Sequence, residues 1–408
     1  MKLDMQKKRT RAQDAAKGIM IIAVVFFHCY LMTFENSTDA LGTFNILMAI
    51  FPFLLSSFFF YTGYNYQPNG KSYKENVLRR FKQLIIPMII AFIISAILIS
   101  SMELIFDHAD IGARFLAIGN SVLHGLMSDP TAKMIGFPKN GGELYNLFLA
   151  LSLNWFLYAL FICSLFFYPL VKFTNKRLEN LISIDIALLT ISFCLGHFVG
   201  IYLPYTVQCY PTILAIMLTA AYLRKSHFLN RRILSKKDSW HHAINMIIAE
   251  GLVIGICLAC HYSFGSLLTG SLPGGMFDPV LRGFDAIIAF IFSIIGTYFI
   301  HTLCRLIKHI PVVGLSLQWV GNHSAFFYLF HPVFLDLAAI VIFQKKRMWG
   351  IAQAFVYTFV VTALLVGACL LIDLIVKKRH VARPIKDEVD NAKEDEDFDE
   401  NPDDLITE

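Results

Sequence analysis

Residues 17–28 read Lys17-Gly-Ile-Met-Ile-Ile-Ala-Val-Val-Phe-Phe-His28, an apolar run that begins with a cation and ends with an imidazole. As part of a longer apolar stretch, this run predicts a membrane-spanning helix. Eleven residues at 100° each come to about 1100°, within roughly 20° of three full turns. Lys17 and His28 are therefore predicted to share one helix face, about 16 Å apart along the axis. Polar groups at that depth usually have a function, although a snorkelling lysine and a histidine bonded to a neighbouring helix would produce the same pattern.

The composition predicts an all-α, polytopic transmembrane helix bundle. Hydrophobic residues make up 56% of the 408 residues and charged residues only 16%, which leaves too little polar surface for a soluble protein of this length. Apolar runs of about 20 residues recur along the chain and predict about ten spans. The weaker stretch 112–128, which contains charged and polar residues, is predicted to be a partial or re-entrant helix. The predicted spans are 17–34, 44–66, 83–103, 146–171, 181–201, 208–223, 240–262, 284–304, 312–341 and 351–376.

The distribution of basic residues predicts the orientation. With the amino terminus inside, the inner segments hold 25 Lys and Arg residues and the outer loops hold seven. This bias predicts a multi-pass protein of the cell (plasma) membrane with both termini in the cytoplasm. The cluster Lys345-Lys346-Arg347 falls on the outer side and does not follow the rule.

Residues 386–408 differ from the rest of the chain. They hold twelve acidic residues against two lysines, and predict a disordered, acidic cytoplasmic tail after a membrane-embedded domain at 1–385. The remaining 33 basic and 18 acidic residues leave that domain at +15, against +5 for the whole chain. A basic inner face suits membrane lipids with anionic headgroups, and it would also suit an anionic cytoplasmic substrate. Nothing in the sequence predicts a nucleic-acid partner or a metal site.

Two further motifs lie near predicted inner helix ends. Arg79-Arg80-Phe81-Lys82 places three cations at the start of the third span, where they could hold phosphates or serve as an ordinary positive-inside anchor. Tyr61-Thr-Gly63-Tyr64 ends the second span, and its glycine allows close backbone approach or a tight turn.

Two motifs lie in the fourth and ninth predicted spans. Asn154-Trp155 begins the fourth span, where a tryptophan is usually an interfacial anchor. Ser324, Tyr328 and His331 follow i, i+4, i+7 spacing and share a face of the ninth span. Such a polar stripe is predicted to face the bundle interior, where it either bonds neighbouring helices or contacts a substrate.

In this order the motifs resemble the membrane-bound acyltransferase-3 family, the O-acyltransferases that modify cell-surface carbohydrates. The family's opening pattern of an acid, a basic residue with glycine, and a histidine eleven residues later is matched by Asp14, Lys17, Gly18 and His28. The resemblance runs from residue 14 to about 376. The other matching segments are Tyr61-Thr-Gly63-Tyr64, Arg79 with Lys82, Trp155-Phe156-Leu157 and Tyr328-Leu-Phe-His331.

The chain departs from the family pattern in two respects. Lysine stands at positions 17 and 82, where the family commonly has arginine. Lysine keeps the charge but loses the bidentate fork, which affects how phosphate would be held. The hydrolase-like extension that some members carry outside the membrane is not found in this sequence.

The resemblance implies transfer of an acyl group, with acetyl as the first expectation, from cytoplasmic acyl-CoA to a hydroxyl of a cell-surface or lipid-linked carbohydrate. Acyl-CoA would be a donor substrate, and no permanently bound cofactor is expected. His28 would be the catalytic base, a role that suits imidazole near neutral pH. The CoA phosphates would be held by Lys17, Arg79, Arg80 and Lys82. The substrate-binding residues would be Asp14, which could also orient Lys17, and Asn154, Trp155, Tyr328 and His331.

Two other classes of protein remain as alternatives on the sequence alone. A secondary transporter or flippase of a sugar-containing substrate would also have about ten helices with buried histidines, but the two halves show no internal repeat. A non-catalytic membrane scaffold would leave the shared face of Lys17 and His28 unexplained.

Overall fold

The computed structural model describes residues 11–33, 54–66, 70, 72–106, 155–195, 209–226, 228–230, 244–245, 247–252, 255, 285–307, 310–338 and 351–379. Every regular element among them is helical, so the all-α prediction is confirmed. The chain divides into two compact units, Met1–Leu365 and Val366–Glu408, and every contact described below lies within the first. In chain order the helices are α1 (Arg11–Thr33), α2 (Leu54–Tyr64), α3 (Tyr73–Arg80), α4 (Ile86–Phe106), α5 (Trp155–Thr174), α6 (Leu178–Cys194), α7 (Tyr210–Leu223), α8 (Asp285–Ile307), α9 (Pro311–Asn322), α10 (Ser324–Leu337) and α11 (Ile351–Arg379).

Five stretches among the described residues are long and apolar enough to cross a membrane. They coincide with the first, third, fourth, eighth and tenth predicted spans, which confirms a polytopic membrane protein. Most of the predicted span 240–262 and all of 112–128 lie outside the described residues, so the count of ten remains a prediction. The five stretches are Arg11–Tyr30, Tyr73–Leu98, Phe156–Thr174, Ala286–Arg305 and Ala354–Leu374.

Helix α1 packs against α9 through two glycines. A Cβ atom on Gly18 would overlap the Leu317 carbonyl oxygen, and one on Gly321 would overlap the Asp14 carbonyl oxygen. His28 lies ten residues after Gly18, and His331 lies ten residues after Gly321. The ring centroids of these two histidines are 4.9 Å apart. Because residues 18–28 and residues 321–331 begin and end at the same two contacts, these two stretches run in the same direction.

Helix α2 is held between α7 and α8. A Cβ atom on Gly63 would overlap the Met217 carbonyl oxygen of α7, so of the two possibilities for this glycine, close backbone approach or a tight turn, the structure has the first. Towards α8, Thr297 donates a 2.8 Å hydrogen bond to Ser57. One turn later Tyr61 Oη and His301 Nδ1 lie 3.4 Å apart. The constant offset of 240 residues means that α2 and α8 also run in the same direction.

Helices α6 and α7 run in opposite directions. Thr212 donates a 2.8 Å hydrogen bond to Ser192, and Thr219 donates a 2.6 Å hydrogen bond to Asp185. As the residue number increases along α7, the residue number of its bonding partner in α6 decreases, which is the antiparallel arrangement expected for consecutive spans. These bonds satisfy polar groups that would be costly to leave unpaired in an apolar bundle.

A π-helical turn, Phe81–Ile85, joins α3 to α4. Pro87 has no N–H for the bond that an α-helix would make to residue 83, and the Ile86 N–H instead reaches the Phe81 carbonyl, five residues back. Helix α3 begins with a capping box, in which the Ser72 hydroxyl accepts from the Glu75 amide and the Glu75 carboxylate accepts from the Ser72 amide.

The predicted ninth span, 312–341, was expected to be one helix, but it consists of α9 and α10, which meet at His323. His323 adopts φ −97° and ψ 11°, outside the α-helical region. Its ring Nδ1 donates a 2.8 Å hydrogen bond to the Trp319 carbonyl, which also accepts from the His323 amide at 3.2 Å. The break follows a Gly-Asn pair, and both residues favour helix ends over helix interiors.

Candidate active site

One end of α1 carries a buried ion pair. Lys17 Nζ donates to Asp14 Oδ1 at 3.2 Å, and the two residues are 9% and 5% exposed. The i, i+3 spacing makes this contact possible within a single helix. The expected pairing of Asp14 with Lys17 is therefore present, and a lysine charge is held in place beside its counter-charge.

The two packing glycines explain why this pair is buried. Gly321 lies against the backbone of Asp14, and its amide nitrogen would be 3.2 Å from a Cβ atom on Gly18. Any side chain at either glycine would push α9 away from α1. Because neither Gly18 nor Gly321 has a side chain, the two backbones meet beside the ion pair. This close packing excludes water from the pair.

Tyr61 and His301 extend the polar region from α1 to α2 and α8. Tyr61 interacts electrostatically with Asp14 and is 1% exposed. His301, also 1% exposed, lies beside the Tyr61 hydroxyl and interacts electrostatically with Arg305, one turn further along α8. Sequence reasoning did not select His301, although a histidine within an apolar span is a signal of its own.

The other end of α1 presents an imidazole in a defined tautomer. His28 Nδ1 lies 2.8 Å from the Val24 carbonyl oxygen. Because a carbonyl can only accept, Nδ1 carries the hydrogen and Nε2 of the neutral ring holds a lone pair. The residue as a whole is half-buried. His28 therefore has a free lone pair on Nε2, which is one requirement for a general base.

His331 lies beside His28 and has the same tautomer. Its Nδ1 is 2.8 Å from the Tyr328 carbonyl oxygen and 3.2 Å from that of Phe327. The residue is fully buried, and its Nε2 has no hydrogen-bond partner among the described residues. Unpaired buried polar atoms are rare in folded proteins, and each of them needs an explanation. A bound hydroxyl would supply the missing partner.

Aromatic side chains form one wall beside the histidine pair. The ring centroid of Tyr328 is 5.3 Å from that of Phe156, and Phe156 is 4.6 Å from Phe59. The Tyr328 hydroxyl forms a hydrogen bond with the Phe156 backbone. This contact ties α10 to the start of α5, which brings the predicted Tyr328–His331 and Trp155–Phe156 motifs together in space.

The predicted cation cluster at the end of α3 is only partly brought together. Arg79 and Arg80 are half-buried, whereas Lys82 is exposed. Arg79 donates to Asn76 Oδ1 at 3.3 Å, and Arg80 Nε donates to the Tyr168 hydroxyl at 3.0 Å. Lys82 lies in the π-turn that follows α3.

Two predicted site residues are not described at side-chain level. Asn154 lies outside the described residues, and Trp155 is described only as the first residue of α5. The predicted roles of both residues stay predictions.

Comparison with known proteins identifies the family. The acyltransferase-3 family model, described as an acyltransferase domain, matches residues 11–373. The chain therefore belongs to the acyltransferase-3 family, and it is a membrane acyltransferase that transfers groups other than amino-acyl groups. No curated protein and no solved structure matches the chain significantly.

Proposed function

We propose that this acyltransferase moves an acyl group, acetyl in the first instance, from cytoplasmic acyl-CoA to a hydroxyl of a cell-surface or lipid-linked carbohydrate. The observation that carries the proposal is the arrangement along α1, where the Asp14–Lys17 ion pair and the His28–His331 rings contact the same neighbouring segment, α9–α10. One helix thus has a cation and an imidazole about 16 Å apart.

Lys17 and Arg79, with Arg80 and Lys82 as further cations of the α3 end, would hold the CoA phosphates. Arginine suits this role because its planar fork can donate two hydrogen bonds to one phosphate. The pantetheine arm of CoA is long and flexible enough to cover the distance from Lys17 to His28. The thioester would then lie next to the basic nitrogen.

His28 would start the reaction by removing the proton of the acceptor hydroxyl with Nε2. The hydroxyl oxygen attacks the thioester carbonyl and forms a C–O bond, the tetrahedral intermediate collapses, and the C–S bond breaks. The leaving CoA thiolate takes the proton from the His28 imidazolium. The base is regenerated, and the products are an ester and free CoA.

The remaining predicted residues would position the carbohydrate. His331 Nε2 has a lone pair without a partner in the described part of the chain, so it can accept a hydrogen bond from a sugar hydroxyl. Tyr328 and Phe156 supply an aromatic wall against which the apolar face of a sugar ring can pack. Asn154 and Trp155 precede Phe156 directly and would extend this wall, while Asp14 keeps Lys17 in position.

A reaction without a membrane gradient tests the proposal. Purified protein in detergent, given acetyl-CoA and carbohydrate acceptors, is expected to release free CoA. Mass spectrometry of surface glycans with and without the gene would then identify the acyl group from the mass difference. A transporter needs two compartments and releases no CoA, so a complete absence of release with every donor and acceptor would refute the proposal.

A further inference from the structure

Three arginines from different parts of the chain converge on one pair of tyrosines. Arg80 donates to the Tyr168 hydroxyl, and Arg224 donates to the Tyr66 backbone carbonyl. Arg79 interacts electrostatically with Tyr66, whose ring centroid lies 5.9 Å from that of Tyr168. All three arginines therefore interact with this one pair of tyrosines.

These three charges have no counter-charge in the described part of the chain. Neither Arg79, Arg80 nor Arg224 forms an ion pair with a described residue, in contrast to Lys17 with Asp14. The Nε atom of Arg79 is buried and has no hydrogen-bond partner there. Half-buried cations without a counter-charge are unfavourable until an anion binds, and an anion would also satisfy the unpaired Nε–H.

The fold brings the cluster together through elements far apart in sequence. Arg79 and Arg80 end α3, Tyr168 lies in α5, and Arg224 follows α7 directly. Tyr66 lies just beyond α2, which is held against α7 at Gly63. Arg224 therefore occupies this position because two helix backbones are in close contact nearby. No sequence motif links it to Arg79.

We propose that Arg224 completes, with Arg79 and Arg80, the site that binds the phosphate groups of coenzyme A. This inference rests on the proposed function. A single phosphodiester headgroup of a lipid carries one negative charge, whereas coenzyme A carries a diphosphate and a phosphomonoester. A phosphomonoester alone has a charge of about −1.5 to −2 at neutral pH. Three guanidinium groups without a counter-charge among the described residues match the more highly charged ligand.

The test measures how much the phosphate groups of coenzyme A contribute to its affinity for the protein. The full-length protein in phosphatidylcholine nanodiscs is titrated with coenzyme A and with pantetheine, which has no phosphate. Arg224→Gln is expected to weaken coenzyme A binding about 10- to 100-fold, the usual effect of losing a charge-assisted contact, and to leave pantetheine binding unchanged. Lys225→Gln removes the adjacent, exposed cation and is the matched control, with both affinities expected within about twofold of wild type.

Arg224 also holds the Tyr66 carbonyl, so a second variant separates binding from folding. Arg224→Lys keeps the charge and can still donate to the carbonyl, but it loses the fork. We expect an intermediate loss of coenzyme A affinity with wild-type thermal stability. Unchanged coenzyme A affinity in both variants would overturn the assignment of Arg224 and leave the proposed function intact.

Two other outcomes have different consequences. In one, the Arg224→Gln protein retains less phosphatidylglycerol in mixed nanodiscs and yet binds coenzyme A with wild-type affinity. In that case the site binds a lipid headgroup, and the inference is wrong. A wild-type protein that binds no coenzyme A at all would refute the proposed function itself, and this inference with it.

Discussion

His28 and His331 both direct Nδ1–H to a carbonyl of their own helix, but they differ in exposure. His28 is half-buried, whereas His331 is fully buried and its Nε2 has no hydrogen-bond partner among the described residues. This difference favours His28 as the base and His331 as a hydrogen-bond acceptor. The two roles lead to the first prediction.

Replacing His28 with alanine should leave folding intact and reduce acyl transfer about 100- to 10,000-fold, the usual contribution of a positioned general base. His28→Gln should fail equally, because an amide cannot accept the proton. Turnover and thermal stability are measured together in detergent. His323→Gln is the matched control, a half-buried histidine that should lose little activity. Near-normal turnover in His28→Gln would show that another group is the base.

Lys17→Ala should raise the KM for acyl-CoA, because it removes a phosphate contact worth about 1–3 kcal/mol. It also leaves the Asp14 carboxylate buried without its partner, so the melting temperature should fall. Lys17→Arg keeps both the charge and the pair and should be tolerated. Steady-state kinetics with varied donor check this, with the exposed Lys74→Ala as control. An unchanged donor KM in Lys17→Ala would make this lysine a structural residue only.

At the scale of helices, two glycines determine whether the ion pair is buried. Gly321→Ala would place a methyl group on the Asp14 carbonyl oxygen, and backbone atoms cannot rotate away from it as a side chain can. We expect a loss of roughly 1–3 kcal/mol of stability, the usual range for overpacking, together with a higher donor KM because the Asp14–Lys17 pair opens to water.

Gly367→Ala in α11 is the control for this substitution. An added Cβ atom there meets nothing within 4 Å, so the gain in helix propensity should leave stability equal or slightly higher. Thermal unfolding in detergent distinguishes the two variants. Equal melting temperatures for Gly321→Ala and Gly367→Ala would mean that α1 and α9 are not closely packed in the membrane.

For the whole molecule, three helix pairs bear on topology. Residues 18–28 of α1 and residues 321–331 run in the same direction, as do α2 and α8, whereas α6 and α7 run in opposite directions. In the predicted order these are spans one and nine, two and eight, and five and six. Each relation is the one that alternating passes through a membrane require. The side on which the termini lie stays a prediction.

Cysteine labelling from outside intact cells tests the orientation in a background without the eight native cysteines. Asn230→Cys should stay unlabelled, because residues 224–239 are predicted to be cytoplasmic, and Gly270→Cys should react. The positive-inside bias is the physical reason. Labelling of position 230 but not of position 270 would reverse the orientation, and the donor would then have to come from the other side.

The sequence alone was sufficient for what local chemistry controls. Apolar runs predicted the helical membrane class, and helical periodicity placed Lys17 and His28 on one face, because the geometry of a helix relates residues a few turns apart. The pairing of Asp14 with Lys17 is local for the same reason. The ordered motifs also led to the acyltransferase-3 family, which the match over residues 11–373 confirms.

Contacts between distant segments were decided only by the tertiary structure. His28 and His331 are 303 residues apart, and nothing in either local sequence says that their rings meet. Arg224 and Tyr66 come together because Gly63 lets two backbones approach, a consequence of packing that no motif records. The exposure of Lys82 and the π-turn that contains it were likewise visible only in the structure.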